Sequence, residues 1–158
     1  GGLEHITRMI LLATKSGKCV LVDPKGTDFE KYRGASYITP NKAELRNVIG
    51  SWSSEDDLND KVQLLRDNLD LDGVLLTRSE EGMSLYQAEN ISHFPTSAQE
   101  IYDVSGAGDT VIGILAVMLG GGCEIDQSVT CANRAAGIVV GKLGTATVNF
   151  SELFAQDD

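Results

Sequence analysis

The chain has 158 residues, of which 42% are hydrophobic, which suits one compact domain with a sizeable core. Its formal net charge of −10 comes from acids spread along the sequence, and such a surface repels phosphate backbones, so nucleic acid is not an expected partner. No apolar run of about 18 residues could span a membrane, and the opening residues lack the pattern of a secretion signal. We therefore expect a cytoplasmic protein without a membrane partner.

The cysteines and histidines do not indicate a disulfide, thiol or zinc site. The three cysteines, Cys19, Cys123 and Cys131, are odd in number and form no C-x-x-C pair. The two histidines, His5 and His93, form no H-x-x-x-H pair and lie in no nucleophile motif. Incidental thiols in a reducing cytosol are the expectation.

Predicted helices and strands alternate along the chain. Residues 3–15 have apolar side chains at helical spacing, whereas residues 19–23 are a continuous apolar run that predicts a strand buried on both faces. The later elements are a strand at 36–39, helices at 41–48 and 54–69, a strand at 73–77, a hairpin of 83–86 with 91–94, an apolar helix that ends at 120–122, and a final helix at 125–140. This order predicts an α/β fold with a mostly parallel sheet flanked by helices.

One glycine-rich segment leads into the apolar helix that ends at 120–122, and this segment carries the most information about chemistry. Its glycines, Gly106 and Gly108, allow a tight turn with uncovered N–H groups where a helix begins, which suits a transferring phosphoryl group. An acid beside a phosphate site repels the ligand unless it handles a proton or a metal, so Asp109 is a candidate general base. The full segment is Ser105-Gly106-Ala107-Gly108-Asp109.

A simpler explanation of this segment is an acid in the first turn of an ordinary helix after a glycine turn. Two other phosphate motifs are excluded. A Walker A motif needs a lysine after its second glycine, and none follows here. A dinucleotide fingerprint needs a third glycine at the position that Val111 occupies.

With its flanks, the segment Asp103-Val104-Ser105-Gly106-Ala107-Gly108-Asp109-Thr110 resembles the second signature of the ribokinase-like carbohydrate kinases. The resemblance implies that Asp109 is the catalytic base and that the backbone amides of residues 105–108 form the anion hole. In some family members two of these positions bind a monovalent cation such as K+. They correspond to Asp103 and Ser105.

The segment Asn41-Lys42-Ala43-Glu44 predicts a capping box, in which Asn41 caps a helix and Glu44 closes the box. It also resembles the family's N-x-x-E motif. That resemblance implies a site for ATP, with Mg2+ held through water by Asn41 and Glu44. The two interpretations are compatible, because a capped helix end holds the glutamate in place.

Two further segments resemble nucleotide-binding elements of the family. Thr77-Arg78-Ser79-Glu80-Glu81-Gly82 resembles its T-x-G-x-x-G loop, although Ser79 replaces the middle glycine, and an ordinary β-turn is the alternative. The resemblance implies ATP-binding roles for Thr77, Arg78 and Gly82. Asn133, in a helix rich in small residues, resembles a residue beside the adenine, and plain helix packing is the alternative.

The stretches 22–29, 32–35, 76–80 and 139–145 look most like family members that phosphorylate heptose 7-phosphate at its anomeric carbon for ADP-heptose and lipopolysaccharide synthesis. Such members imply ATP and Mg2+ as cofactors, a sugar phosphate partner, a homodimer and often a fused nucleotidyltransferase domain. The resemblance implies that residues 1–158 are the C-terminal, ATP-binding part of one kinase domain, without the sugar-binding and lid half. Another sugar or nucleoside kinase of the family, or an inactive nucleotide-binding fragment, is the alternative.

Two lysines at predicted strand ends, Lys25 and Lys42, could meet phosphate oxygens. Ordinary solvated surface lysines are the alternative.

Overall fold

The computed structural model describes residues 2–96, 107–140 and 153. The described residues form two compact units. The first comprises the chain up to Arg78 together with Ser84–His93, and the second comprises Ser79–Met83 and the described residues from Phe94 onward.

A five-stranded sheet in the order β1-β2-β3-β4-β5 has all but two of its residues in the first unit. The strands are β1 (Leu21–Val22), β2 (Tyr37–Ile38), β3 (Gly73–Thr77), β4 (Met83–Gln87) and β5 (Ile91–Phe94). The first three strands are parallel neighbours, with Leu21 opposite Tyr37 and Tyr37 opposite Gly73. The connections on either side of β4 are too short for the crossover that parallel neighbours need, so the sheet is mixed.

Three helices accompany this sheet: α1 (Gly2–Lys15), α2 (Lys42–Ile49) and α3 (Glu55–Asn68). Helix α3 begins where Ser54 accepts a hydrogen bond from the backbone of Asp57, as the sequence predicted. Helix α2 ends at Gly50, whose φ of 75° lies in the left-handed region that glycine tolerates.

The core of the first unit lies between the sheet and these helices. Helix α3 contributes Leu58 and Val62, with Leu65 half-buried beside them and the buried Leu69 at its C-cap, which is the face that the helical spacing predicted. Strand β3 is buried on both faces, as its uninterrupted apolar sequence indicated. Strand β1 was predicted to be buried on both faces, and this prediction is wrong, since Leu21 and Val22 are only half-buried. Among the described strands β1 is at the sheet edge, so only one side is covered by a neighbour.

The second unit contains helices α4 (Ala107–Gly120) and α5 (Ile125–Val140), which pack against each other. Helix α4 ends where the sequence predicted, and α5 has the predicted bounds. Helix α5 buries most of its small and apolar residues, with Val129, Ala132 and Ala135 fully covered. No helix in the described ranges is long and apolar enough to cross a membrane.

Candidate active site

The three parallel strands bring a set of polar residues to one edge of the sheet. Asp23 follows β1, Asn41 follows β2, and Thr77 is the last residue of β3. Asn41 and Thr77 form a parallel bridge, and the Thr77 amide donates a hydrogen bond to the Pro40 carbonyl at 3.0 Å. Open α/β sheets bind their ligands outside the carboxyl ends of their strands, so this edge is the expected place for a site.

The predicted capping box at the start of α2 is confirmed. The Asn41 side chain accepts a hydrogen bond from the Glu44 amide at 2.8 Å, and the Asn41 amide donates one to Glu44 Oε2 at 2.9 Å. Lys42 and Ala43 lie between them in the first turn. The two bonds fix the carboxylate of Glu44 at the positive end of the helix.

A lysine joins this carboxylate to the acid that follows β1. Lys25 Nζ lies 2.8 Å from Glu44 Oε1 and 3.0 Å from Asp23 Oδ1. Its hydrogen bonds to Glu44 and then to Asp23 raise the pKa of Lys25 above its ordinary value. Sequence reasoning gave Asp23 no role. An acid directly after an apolar run that predicts a parallel strand was the signal that could have found it.

The donor set at the strand ends suits magnesium in an indirect role. Carboxylate and amide oxygens are the ligands that Mg2+ prefers, and Asp23, Asn41 and Glu44 supply them. Within the described residues, no group of three or more His, Cys, Asp or Glu could form a full metal cage. Each oxygen of Glu44 already accepts a hydrogen bond. Binding through water therefore fits these residues better than direct ligation.

In the loop after β3 two residues adopt the backbone conformation that favours glycine, but only one of them is a glycine. Ser79 has a φ of 54° and Gly82 a φ of 88°, both in the left-handed region. A Cβ atom at Gly82 would lie 2.7 Å from the Thr96 amide nitrogen and closer still to the Phe94 carbonyl. Gly82 is therefore required for close packing, whereas Ser79 adopts the glycine conformation at an energetic cost.

The side chain of Arg78 is directed into the fold. Its guanidinium is buried and forms an ion pair with the carboxylate of Glu55, in which Nη1 lies 2.9 Å from Oε2. The same Nη1 donates a hydrogen bond to the Ser84 hydroxyl at 3.2 Å. The Ser84 hydroxyl also lies 3.1 Å from His93 Nδ1. Contact of Arg78 with a nucleotide stays a prediction, and these bonds favour a backbone contact over the guanidinium. Nothing in the sequence pattern indicated the Glu55 pairing.

Asn133 anchors a loop of the second unit. Its side chain is 8% exposed, and Nδ2 donates a hydrogen bond to the Pro95 carbonyl at 2.7 Å. Gly82 packs against the same stretch from Phe94 to Thr96. Two residues predicted to bind the nucleotide thus meet one short segment, and the sequence did not indicate this contact.

The start of α4 presents the predicted base to solvent. Asp109 lies in the first turn and is exposed, directly after the exposed Gly108. A Cβ atom at Gly108 would have no described atom within 4 Å, so the described packing does not require a glycine there. The predicted positions Asp103, Ser105 and Gly106 lie outside the described residues, whereas Ala107 begins the helix.

A mixed α/β sheet with polar groups at its carboxyl edge, together with a helix that begins Ala-Gly-Asp, is typical of ribokinase-like kinases. The sequence matches the pfkB family of carbohydrate kinases over residues 2–151, and the chain belongs to this family. The fold and the class of enzyme indicated by the sequence are thereby confirmed.

Two bacterial proteins show how similar the sequence of this chain is to that of its relatives. It is 54% identical over 154 residues to the bifunctional protein HldE of Proteus mirabilis and 53% identical to that of Psychromonas ingrahamii. In each case the match covers 97% of this chain and 32% of the relative, so the chain spans about a third of their length.

Solved structures support the fold. Escherichia coli phosphofructokinase-2 in complex with potassium matches with a TM-score of 0.84 at 20% identity, over 96% of this chain and 50% of that one. Arabidopsis thaliana ribokinase complexed with ribose and ATP gives 0.79 at 21% identity, over 90% and 48%. At these identities the likeness shows the fold alone.

Proposed function

We propose that this chain is the C-terminal, ATP-binding part of a single kinase domain that phosphorylates heptose 7-phosphate at its anomeric hydroxyl. The product, heptose 1,7-bisphosphate, serves ADP-heptose and lipopolysaccharide core synthesis. Membership of the pfkB family supports the kinase chemistry, and similarity to HldE proteins supports the choice of sugar. The observation that carries the catalytic proposal is the exposed Asp109 directly after Gly108 at the start of α4.

In this proposal Asp109 takes the proton from the sugar hydroxyl as its oxygen attacks the γ-phosphorus of ATP. The bond between the γ-phosphorus and the bridging oxygen breaks, and ADP leaves. Backbone amides at the start of α4 donate to the transferring group, where the helix dipole also favours negative charge. The proposed anion hole consists of Ala107 and Gly108, which the structure describes, and of Ser105 and Gly106, which lie outside the described residues.

The nucleotide roles follow the predicted motifs. Asn41 and Glu44 would hold magnesium through water, and the ion would neutralise charge on the phosphates. The fixed carboxylate of Glu44 supports this role. The other proposed ATP-binding residues are Lys42, Ala43, Thr77, Arg78, Gly82 and Asn133. A K+ site at Asp103 and Ser105 stays a prediction, as do a homodimer, a fused nucleotidyltransferase domain and a cytoplasmic location.

The test of catalysis is the variant Asp109→Asn in a complete kinase domain that contains this chain. Loss of a general base should reduce kcat by about 10²–10⁴-fold. The affinity for ATP should stay within about threefold, because the change removes one charge and keeps the shape. Steady-state ADP release and calorimetric ATP binding measure the two effects.

The matched control is Asp126→Asn, the same change at an exposed acid in the first turn of α5. It removes the same favourable interaction with a helix dipole but should leave turnover unchanged. Near-normal turnover in Asp109→Asn, or an equal loss in both variants, would contradict the assignment of the base.

The sugar is tested with a panel of heptose 7-phosphate, fructose 6-phosphate and ribose. ADP release with the heptose alone would support the proposal. Release with another sugar would keep the kinase and replace its substrate. ATP binding without transfer to any sugar would favour a nucleotide-binding fragment without catalytic activity.

A further inference from the structure

Lys25 is held by its backbone at the carboxyl edge of the parallel strands. Its amide donates a hydrogen bond to the Tyr32 hydroxyl at 3.0 Å, and Lys31 Nζ donates one to its carbonyl at 2.9 Å. Tyr32 is buried and packs edge-on against the buried Phe29, with ring centroids 5.8 Å apart. The position of Lys25 is thus fixed by the core, although its side chain is 67% exposed.

The ammonium of Lys25 lies between two carboxylates that would otherwise repel a nucleotide. Asp23 and Glu44 each accept one hydrogen bond from it, at 3.0 and 2.8 Å. Two uncompensated carboxylates at close range oppose the approach of a polyphosphate, because like charges repel. Lys25 offsets half of this charge within the cluster.

The ammonium also has an unused donor. A lysine side chain carries three N–H groups. Two of them bind Glu44 and Asp23, and the third has no partner among residues 2–96 and 107–140. An exposed N–H of a fixed cation at the carboxyl edge of a parallel sheet is suited to an anionic oxygen of a ligand.

We propose that Lys25 is a phosphate-binding residue of this site: it neutralises Asp23 and Glu44 and donates its remaining N–H to the polyphosphate of a nucleoside triphosphate. This inference rests on the proposed function, and it develops the phosphate contact that the sequence left open for Lys25. An ordinary surface lysine would have neither the anchored backbone nor the two carboxylate partners.

The experiment measures ligand affinity by calorimetry in a complete kinase domain that contains this chain. Mg·ATP and adenosine are titrated into the unaltered protein and into Lys25→Met and Lys25→Arg variants. Lys18→Met is the matched control, because Lys18 is an exposed lysine at the amino end of β1. Thermal unfolding of each variant checks that the fold is retained.

Lys25→Met should weaken Mg·ATP binding by about 10–100-fold, the usual worth of a charge-assisted hydrogen bond. Adenosine affinity should not change, because adenosine has no phosphate. Lys25→Arg keeps the charge and should lose less than Lys25→Met, and Lys18→Met should behave like the unaltered protein.

An unchanged Mg·ATP affinity in Lys25→Met, or an equal loss for adenosine, would overturn the inference while the proposed function stands. Failure of the unaltered protein to bind Mg·ATP would overturn the proposed function itself, and the inference with it.

Discussion

Ser79 shows how one residue can depart from a motif while the backbone follows it. The family loop has glycine at this position, and Ser79 has a φ of 54°, which glycine adopts without cost. A residue with a Cβ atom pays about 1–3 kcal/mol in this region. The sequence therefore left the backbone contact at residue 79 in doubt, while the structure keeps the glycine conformation there.

We expect Ser79→Gly to raise the free energy of unfolding by up to about 1 kcal/mol. The variant relieves the left-handed strain and loses part of that gain to the greater freedom of glycine in the unfolded chain. ATP affinity should stay the same, because the loop conformation is retained. Urea unfolding and calorimetric titration measure the two quantities.

The control for this prediction is Ser51→Gly, the same chemical change at an exposed serine that is not among the residues with positive φ. This variant should lose stability, since only the entropic cost of glycine remains. A loss of stability in Ser79→Gly as large as that in Ser51→Gly would show that residue 79 is not strained.

At the scale of elements, the sequence predicted those features that depend on near neighbours. The capping box of α2, the cap of α3 and the bounds of β3 are confirmed. They could be predicted because residues within about four positions determine them. The bond from Asn133 to Pro95 joins residues 38 positions apart. No local pattern indicates such a contact, because it depends on how α5 packs against a loop.

The packing of the described residues does not explain why a glycine stands at the start of α4. Gly108 has open space where a Cβ would be, and so has Gly113 five residues further along the helix. Glycine inside a helix costs about 1 kcal/mol relative to alanine. At Gly108 that cost is understandable if a phosphoryl group needs the space beside the backbone.

We expect Gly108→Ala to separate stability from activity. The variant should unfold at the same or a higher temperature, because alanine favours the helix. Turnover should fall by about 10²-fold, the effect of displacing a reacting group by about 1 Å. Thermal unfolding and ADP release in a complete kinase domain measure the two effects.

Gly113→Ala is the control, since it adds the same methyl group to an exposed face of the same helix. It should stabilise the protein and leave turnover unchanged. Equal turnover in Gly108→Ala and Gly113→Ala would remove Gly108 from the proposed anion hole.

For the whole molecule, the alternation of strands and helices was enough to predict the class of fold. It did not predict that β1 would be only two residues long and half-buried, because burial depends on which strands are neighbours. It also did not predict the cluster of Asp23, Lys25 and Glu44. Asp23 and Lys25 follow β1 whereas Glu44 lies in α2, and the register of β1 against β2 brings the two segments together.

The net charge of the chain makes magnesium the expected condition for binding ATP. With 23 acidic against 13 basic side chains, the molecule repels a free triphosphate, and Lys25 is already bonded to Asp23 and Glu44. Mg2+ reduces the charge of the ligand and prefers the oxygen ligands present at the strand ends.

We therefore expect removal of magnesium with EDTA to weaken ATP binding by about 10-fold or more in a complete kinase domain, at constant ionic strength. Constant salt matters because screening alone changes such affinities. Adenosine is the matched ligand, and its affinity should be the same with and without magnesium. Calorimetric titration measures both ligands. Equal ATP affinity in EDTA would mean that protein groups alone compensate the phosphates, and Asn41 and Glu44 would then lose their proposed role.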